Sequence, residues 1–362
     1  MKYHIALSPP CDLEGMTRNA QLGMTPSHAI WELSQRLGAK VHQPGEEQIL
    51  PIDRILAKVI GRPEHWALAR NLSLQCDEDD IIYCTGEDVG IPLATLCGLK
   101  KRRPKLIGYF HNMNRPRGRL ALQIFQVANK IDLFVSTVPS EITFLSQYLQ
   151  LPKNRIYEVK AQPTDASFFT PGPTSHEKRR PIIGSGGLEK RDYRTLADAT
   201  KDLDVDVKIC AFSNNAKKLK RSFPKLIPNN MSSRFYSWYE LLQLYRDSDI
   251  VVVPLVENTQ EAGLSTLFEA MACCKPVVIT RTPGIISKLI DEGIVTGVSP
   301  YDSEQMKQAI QNLLDNPYKA QMQAQRGYEL VQKQYNQKNY VEYLAMEISS
   351  RFESPVRTAI FV

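Results

Sequence analysis

Short apolar runs rich in β-branched residues alternate with helix-spaced apolar positions from one end of the chain to the other. In the first half the strand-like runs are 3–8, 80–84, 105–110, 132–137 and 155–160. In the second half they are 181–185, 206–212, 249–255, 276–280 and 294–299, with helical spacing at 239–245 and 303–314. Strands separated by helices predict parallel sheets covered on both faces, and therefore an α/β fold. Tyr340, Tyr343, Leu344 and Ile348 fall near one helical face, so residues 336–352 are expected to form a helix packing back on the N-terminal domain. The prolines, glycine and charges of 169–180 mark an exposed linker between domains 1–168 and 181–335.

Composition agrees with two cores: 362 residues with 43% hydrophobic content exceed one ordinary domain. The longest apolar stretches, 250–256 and 276–279, fall well short of the ~20 residues that span a bilayer. The first residues enter a strand pattern without the features of a secretion signal, so a cytoplasmic protein is expected. The seven cysteines have no paired metal-ligand spacing and read as reduced thiols, and the six histidines form no zinc motif, so no metal site is expected. A net charge of +6 fits anionic ligands or a membrane surface and is too weak to argue for nucleic acid.

The chemistry concentrates after Asp249. A buried run, Asp249-Ile250-Val251-Val252-Val253-Pro254-Leu255, leads through a polar loop to Glu261-Ala262-Gly263-Leu264-Ser265-Thr266-Leu267-Phe268-Glu269. Such a strand-to-helix junction aims free backbone N–H groups and the positive end of the helix dipole out of the carboxyl edge of a sheet, where a diphosphate can be held. Glu261 stands before the helix. Glu269 lies about two turns along it, where a carboxylate can accept hydrogen bonds from both ribose hydroxyls. Taken alone, each glutamate is equally well a solvated side chain at a helix start or on a helix face.

Their setting resembles the retaining glycosyltransferases of the GT-B fold, in particular family four (glycosyl transferases group 1). The resemblance rests on Pro254, Glu261, Glu269-Ala270-Met271-Ala272, Lys275-Pro276-Val277-Val278, Thr282-Pro283-Gly284 and Gly293, which follow in the family's order. It implies two Rossmann-like domains whose parallel sheets face across a cleft. It also implies that Glu261 approaches the transferred sugar, that the amides of Ala262, Gly263, Leu264 and Ser265 meet the donor, and that Glu269 holds the ribose. Ile182-Ile183-Gly184-Ser185-Gly186-Gly187-Leu188-Glu189-Lys190-Arg191-Asp192-Tyr193 is similar to the family's first donor-domain strand and loop. Gly187 replaces the Arg usual there, which leaves Lys190 or Arg191 as the cation for the diphosphate. Arg191 is the stronger candidate because a guanidinium can clamp two phosphate oxygens. Lys105-Leu106-Ile107-Gly108-Tyr109-Phe110-His111 resembles the strand that ends in a histidine facing the donor sugar, whereas Ser8-Pro9-Pro10 and Gln162-Pro163-Thr164-Asp165 depart from the family's pattern.

The resemblance implies a nucleoside-diphosphate sugar as donor and an acceptor hydroxyl on a glycan, lipid or small molecule. Attack is expected on the face the leaving group departs from, with the phosphate taking the acceptor's proton. No carboxylate pair for a metal stands out, so no cofactor is expected. Other readings remain: a sugar-nucleotide epimerase or a phosphorylase of related two-domain fold, which share the architecture, and a non-catalytic sugar-nucleotide binder. The basic residues Lys100-Lys101-Arg102-Arg103, Lys105, Arg115, Arg117 and Arg119 form either a solvated face or a contact with anionic lipid at the inner face of the membrane.

Overall fold

In the central strands successive residues are apolar, so both faces of each sheet need cover. Ile5 and Leu7 enter one core while Ala6 enters another, and Val251 and Val253 are likewise separated from Ile250 and Val252. The computed structural model describes residues 2–212, 219–259 and 261–352. Its first sheet contains β1 (Tyr3–Ala6), β2 (Lys40–His42), β3 (Ile81–Cys84), β4 (Lys105–Tyr109), β5 (Leu133–Ser136) and β6 (Ile156–Glu158). These six strands are parallel in the order β2-β1-β3-β4-β5-β6.

The second sheet contains β7 (Ile182–Gly186), β8 (Asp206–Cys210), β9 (Met231–Arg234), β10 (Ile250–Val253), β11 (Val277–Thr280) and β12 (Thr296–Val298). It too is parallel, in the order β12-β11-β10-β7-β8-β9. The unit's first strand, β7, is central; the next two lie on one side of it and the last three on the other. That is the Rossmann order, and its direction reverses between β7 and β10, which puts the natural ligand crevice at their carboxyl ends.

The chain divides into two compact units, Met1–Glu14 with His28–Ala161 and Lys338–Val362, and Gly15–Ser27 with Gln162–Gln337. The chain crosses between them four times, and the crossing that leads into the second sheet falls at Ala161, ahead of the 169–180 segment. Asp165 organises it: the carboxylate accepts from the backbone N and hydroxyl of Ser27 at 2.7 and 2.8 Å and from the backbone N of Ser167 at 2.9 Å. The segment 169–180 is tied down within the second unit, where Thr170 accepts from Arg246 and Ser175 donates to Asp247. In the first unit Tyr340, Val341, Leu344, Ala345 and Ile348 of the helix Gln337–Phe352 complete the core that includes Ile5, Tyr83 and Ile107. Among the described residues no helix is long and apolar enough to cross a membrane.

Candidate functional site

β7 ends at Gly186, and the chain then turns through Gly187 with φ of 85°. A Cβ at Gly187 would stand 2.6 Å from Nη2 of Arg191, so the turn accepts only glycine while that guanidinium lies over it. Arg191 is 3% exposed. Its Nε donates to the Gly186 carbonyl at 2.8 Å, Nη1 to the Glu189 carbonyl at 2.8 Å and Nη2 to Thr266 Oγ1 at 3.1 Å. In this structure its fork is turned into the loop and toward Thr266. Lys190 is exposed, with φ of 53°, and its carbonyl accepts from the Val256 backbone N at 2.9 Å. A bridge between Arg191 and Leu255 and a bond from Asp192 N to the Pro254 carbonyl complete the stitching of this loop to the end of β10.

The helices flanking this edge start differently. Asp192 caps Tyr193–Thr200 and Ser237 caps Trp238–Asp247, each by accepting a first-turn N–H. Leu264–Ala272 follows Gly263 with no side-chain cap. Its inward residues Thr266, Leu267, Phe268, Ala270 and Met271 are buried, so packing fixes the helix while Gly263 offers its first-turn N–H groups no side-chain cap. Ala262 is buried, Gly263 and Leu264 are half-buried and Ser265 is exposed. The Cβ position of Gly263 lies 3.5 Å from Nη1 of Arg191, which sets a fixed positive charge beside the helix start.

Glu269 is half-buried, and one of its carboxylate oxygens accepts from the hydroxyl of fully buried Tyr245 at 2.8 Å. Burial pushes its carboxyl up to about 7, against the opposing hydrogen bond from Tyr245 and the charge of Arg191. The Glu261 side chain lies against the backbone of Gly284, whose φ is 92°, and a Cβ on Gly284 would overlap the carboxylate.

In the first unit His111 follows β4 and is 59% exposed. Glu87 opens the helix Glu87–Cys97, and its Oε2 accepts from both the backbone N and Nδ1 of His111 at 3.1 Å. The hydrogen bond and charge of Glu87 raise the His111 pKa. Tyr109 meets the ring edge-on at 4.6 Å. Glu141, pushed up to about 7 by burial, accepts from the Met113 backbone N and adds a second carboxyl to this edge.

Residues 182–316 match the family model described as glycosyl transferases group 1. This segment is a group 1 glycosyltransferase domain. No curated protein matches the chain. A Rickettsia africae glycosyltransferase superposes with a TM-score of 0.69 at 13% identity, over 98% of this chain and 99% of that one. Anabaena Alr3699/HepE, solved in complex with UDP and glucose, gives 0.69 at 15% identity over 97% and 100%. Sucrose-phosphate synthase from Thermosynechococcus elongatus gives 0.69 at 15% identity over 97% and 99%. At these identities the likeness is one of fold, and the two parallel-sheet units are those of GT-B glycosyltransferases.

The glycosyltransferase domain thus brings Gly187, Lys190, Arg191, Ala262, Gly263, Leu264, Ser265 and Glu269 to one carboxyl edge, and His111 belongs to the other unit. Several of its parts carry no signal in the sequence. Tyr245 ends an apolar helical stretch and reads as core, yet its hydroxyl holds Glu269. Thr266 reads as a small helix residue, yet it receives Arg191. Beyond β8 and β9, Phe212 and Phe235 are exposed and meet edge to face at 5.1 Å, a surface on which a flat ring can stack.

Several basic side chains of the 100–119 stretch are engaged internally. Lys100 donates to the Ser73 and Cys76 carbonyls, Arg103 makes a paired contact with Asp132, and Arg117 donates to the carbonyls of Lys58 and Val59.

Gly284→Ala is expected to destabilise the glycosyltransferase domain by about 1–3 kcal/mol, because it combines a left-handed backbone with a collision against Glu261. Thermal denaturation reads this directly. Adding Glu261→Ala relieves the collision alone and should recover part of the loss; an unchanged melting temperature in Gly284→Ala would remove Gly284 as the seat of Glu261.

Proposed function

We propose that this glycosyltransferase moves a sugar from a nucleoside-diphosphate sugar to an acceptor hydroxyl, with retention of configuration and without a metal. The observation that carries the reading is the helix Leu264–Ala272, which begins without a side-chain cap at the strand-order reversal between β7 and β10. Its first-turn N–H groups and dipole receive the diphosphate, Lys190 adds a mobile charge, and Arg191 fixes the loop while contributing its field. Glu269 accepts the ribose hydroxyls with Tyr245 setting its rotamer. Glu261, seated on Gly284, orients the sugar. The departing phosphate then takes the proton of the incoming hydroxyl on the same face, so no protein nucleophile is needed. The amides and cations already supply positive charge to the leaving group, and among the described residues no cluster of three metal-ligating side chains lies in this domain.

The test is the melting temperature with UDP-, GDP- and ADP-sugars, each with and without EDTA. One nucleotide is expected to raise it, by about 2.7 kcal/mol of stabilisation at a hundredfold excess over Kd, and EDTA should leave the shift and the turnover rate unchanged. UDP-sugars come first because the Anabaena relative was solved with UDP. No shift with any nucleotide overturns the donor site, and loss in EDTA restored by manganese or magnesium overturns metal independence. The anomeric configuration of the product, read by NMR, decides retention. Donor isomerised without an acceptor would instead identify an epimerase, and binding without turnover a non-catalytic binder.

A further inference from the structure

At the amino edge of the first sheet, opposite the edge that carries His111, four side chains from three separate stretches of the sequence converge. His4 lies on β1, with Ile82 of β3 and Lys40 of β2 as its register partners. Cys76 ends the helix Pro63–Gln75, and Asp80 stands just before β3. Donor atoms of His4, Cys76 and Asp80 all lie within 4.8 Å of one another. Cys76 is 2% and Asp80 6% exposed.

His4 is held from behind. Its Nδ1 lies 2.9 Å from Nε2 of His42, and the two rings stack at 5.2 Å. Its other nitrogen, Nε2, is buried, has no hydrogen-bond partner and stands 3.9 Å from Asp80 Oδ1, too far for a hydrogen bond. Of the two proton arrangements, the one in which Nδ1–H donates to His42 leaves a lone pair on Nε2, whereas the reverse strands a buried N–H without an acceptor. A neutral imidazole oriented by a hydrogen bond through its second nitrogen is the arrangement metal-binding histidines use.

We propose that His4 Nε2, Cys76 Sγ and Asp80 Oδ1 bind a divalent cation of zinc type, with His42 positioning His4 and a solvent molecule as fourth ligand. The donor set of one nitrogen, one sulfur and one oxygen suits zinc better than calcium or magnesium. Tetrahedral zinc with bonds of about 2.0–2.3 Å needs donors roughly 3.5 Å apart, so the three side chains close by up to about 1.3 Å. Ligation by sulfur requires the thiolate, so the cation displaces the Cys76 proton, which leaves to solvent. The site joins β1, the approach to β3 and the end of a helix, so its role is to fasten this edge of the first unit. It is separate from the donor site.

The test uses the untagged full chain, stripped with EDTA, desalted and titrated with Zn²⁺ and then with Co²⁺. One equivalent of Zn²⁺ is expected to bind with release of a proton and to raise the melting temperature. Co²⁺ should give the thiolate charge-transfer absorption of a cobalt–sulfur bond. Cys76→Ser should abolish that absorption, and His42→Phe should weaken binding about 10–100-fold. The wild-type titration decides the matter even if a variant folds poorly: no stoichiometric binding and no thermal shift would overturn the site. Binding that survives unchanged in both Cys76→Ser and His4→Gln would place the ion elsewhere and overturn it equally. At temperatures well below melting, stripping should leave the glycosyl-transfer rate intact while lowering the melting temperature, which separates this site from any metal in the reaction.

Discussion

Arg191→Ala should lower kcat by about 10²-fold or more, with a smaller change in KM. The side chain joins the Gly186 and Glu189 carbonyls to Thr266 of the helix Leu264–Ala272, so its removal frees the loop 187–191 and takes a fixed charge from beside the helix start. Loss of one preorganised charge partner typically has this scale. Arg191→Lys should rescue little, because one ammonium cannot serve three acceptors spread around a planar fork. Lys190→Ala is expected to act differently, since its exposed side chain supports no part of the loop: it should raise KM for donor more than it lowers kcat. Steady-state kinetics of the three variants decide between these roles. If both Arg191 variants turn over at the wild-type rate while Lys190→Ala is dead, the leaving group depends on Lys190 alone.

The second large effect concerns Glu269. Glu269→Ala should weaken nucleotide binding about tenfold or more, as expected for loss of a charge-assisted hydrogen bond. Because burial sets its carboxyl near about 7, the effect depends on pH. The ionised form accepts the ribose hydroxyls, so binding should weaken as pH falls through 7, by about tenfold between pH 8 and pH 6. Stability of the ligand-free protein runs the other way. A carboxyl whose folded pKa lies above its ordinary value of 4.5 contributes stability below 4.5 and loses it as pH rises through 7. Calorimetry of wild type beside Glu269→Gln isolates the effect, since the amide removes this titration and keeps the ligand's own. Parallel pH profiles in the two proteins would exclude Glu269 from the ribose.

The strand–loop–helix segment from Asp249 to Val278 was legible in the sequence because its signals are local. A continuous apolar run, a polar loop and helix-spaced apolar residues sit next to one another and need no distant partner to be read. The alternation of strands and helices likewise predicted parallel sheets, which the two six-stranded sheets match. The edge strands β2 and β9 carry no such local signal. Lys40-Val41-His42 and Met231-Ser232-Ser233-Arg234 are too short and too polar to show a period, and a sheet edge demands less apolar surface than its centre.

The sequence by itself therefore determined the fold class, the place of the helix Leu264–Ala272 and which residues stand on it. Tertiary structure alone decided which way side chains turn and which remote residues meet. Arg191 points into its own loop because Gly187 leaves room there and Thr266 offers an acceptor from a helix remote in sequence. Glu261 rests on Gly284 and Glu269 on Tyr245 for the same kind of reason. His4, Cys76 and Asp80 converge only because parallel pairing sets β1 beside β3 at the amino edge, a consequence of strand order that no local period encodes.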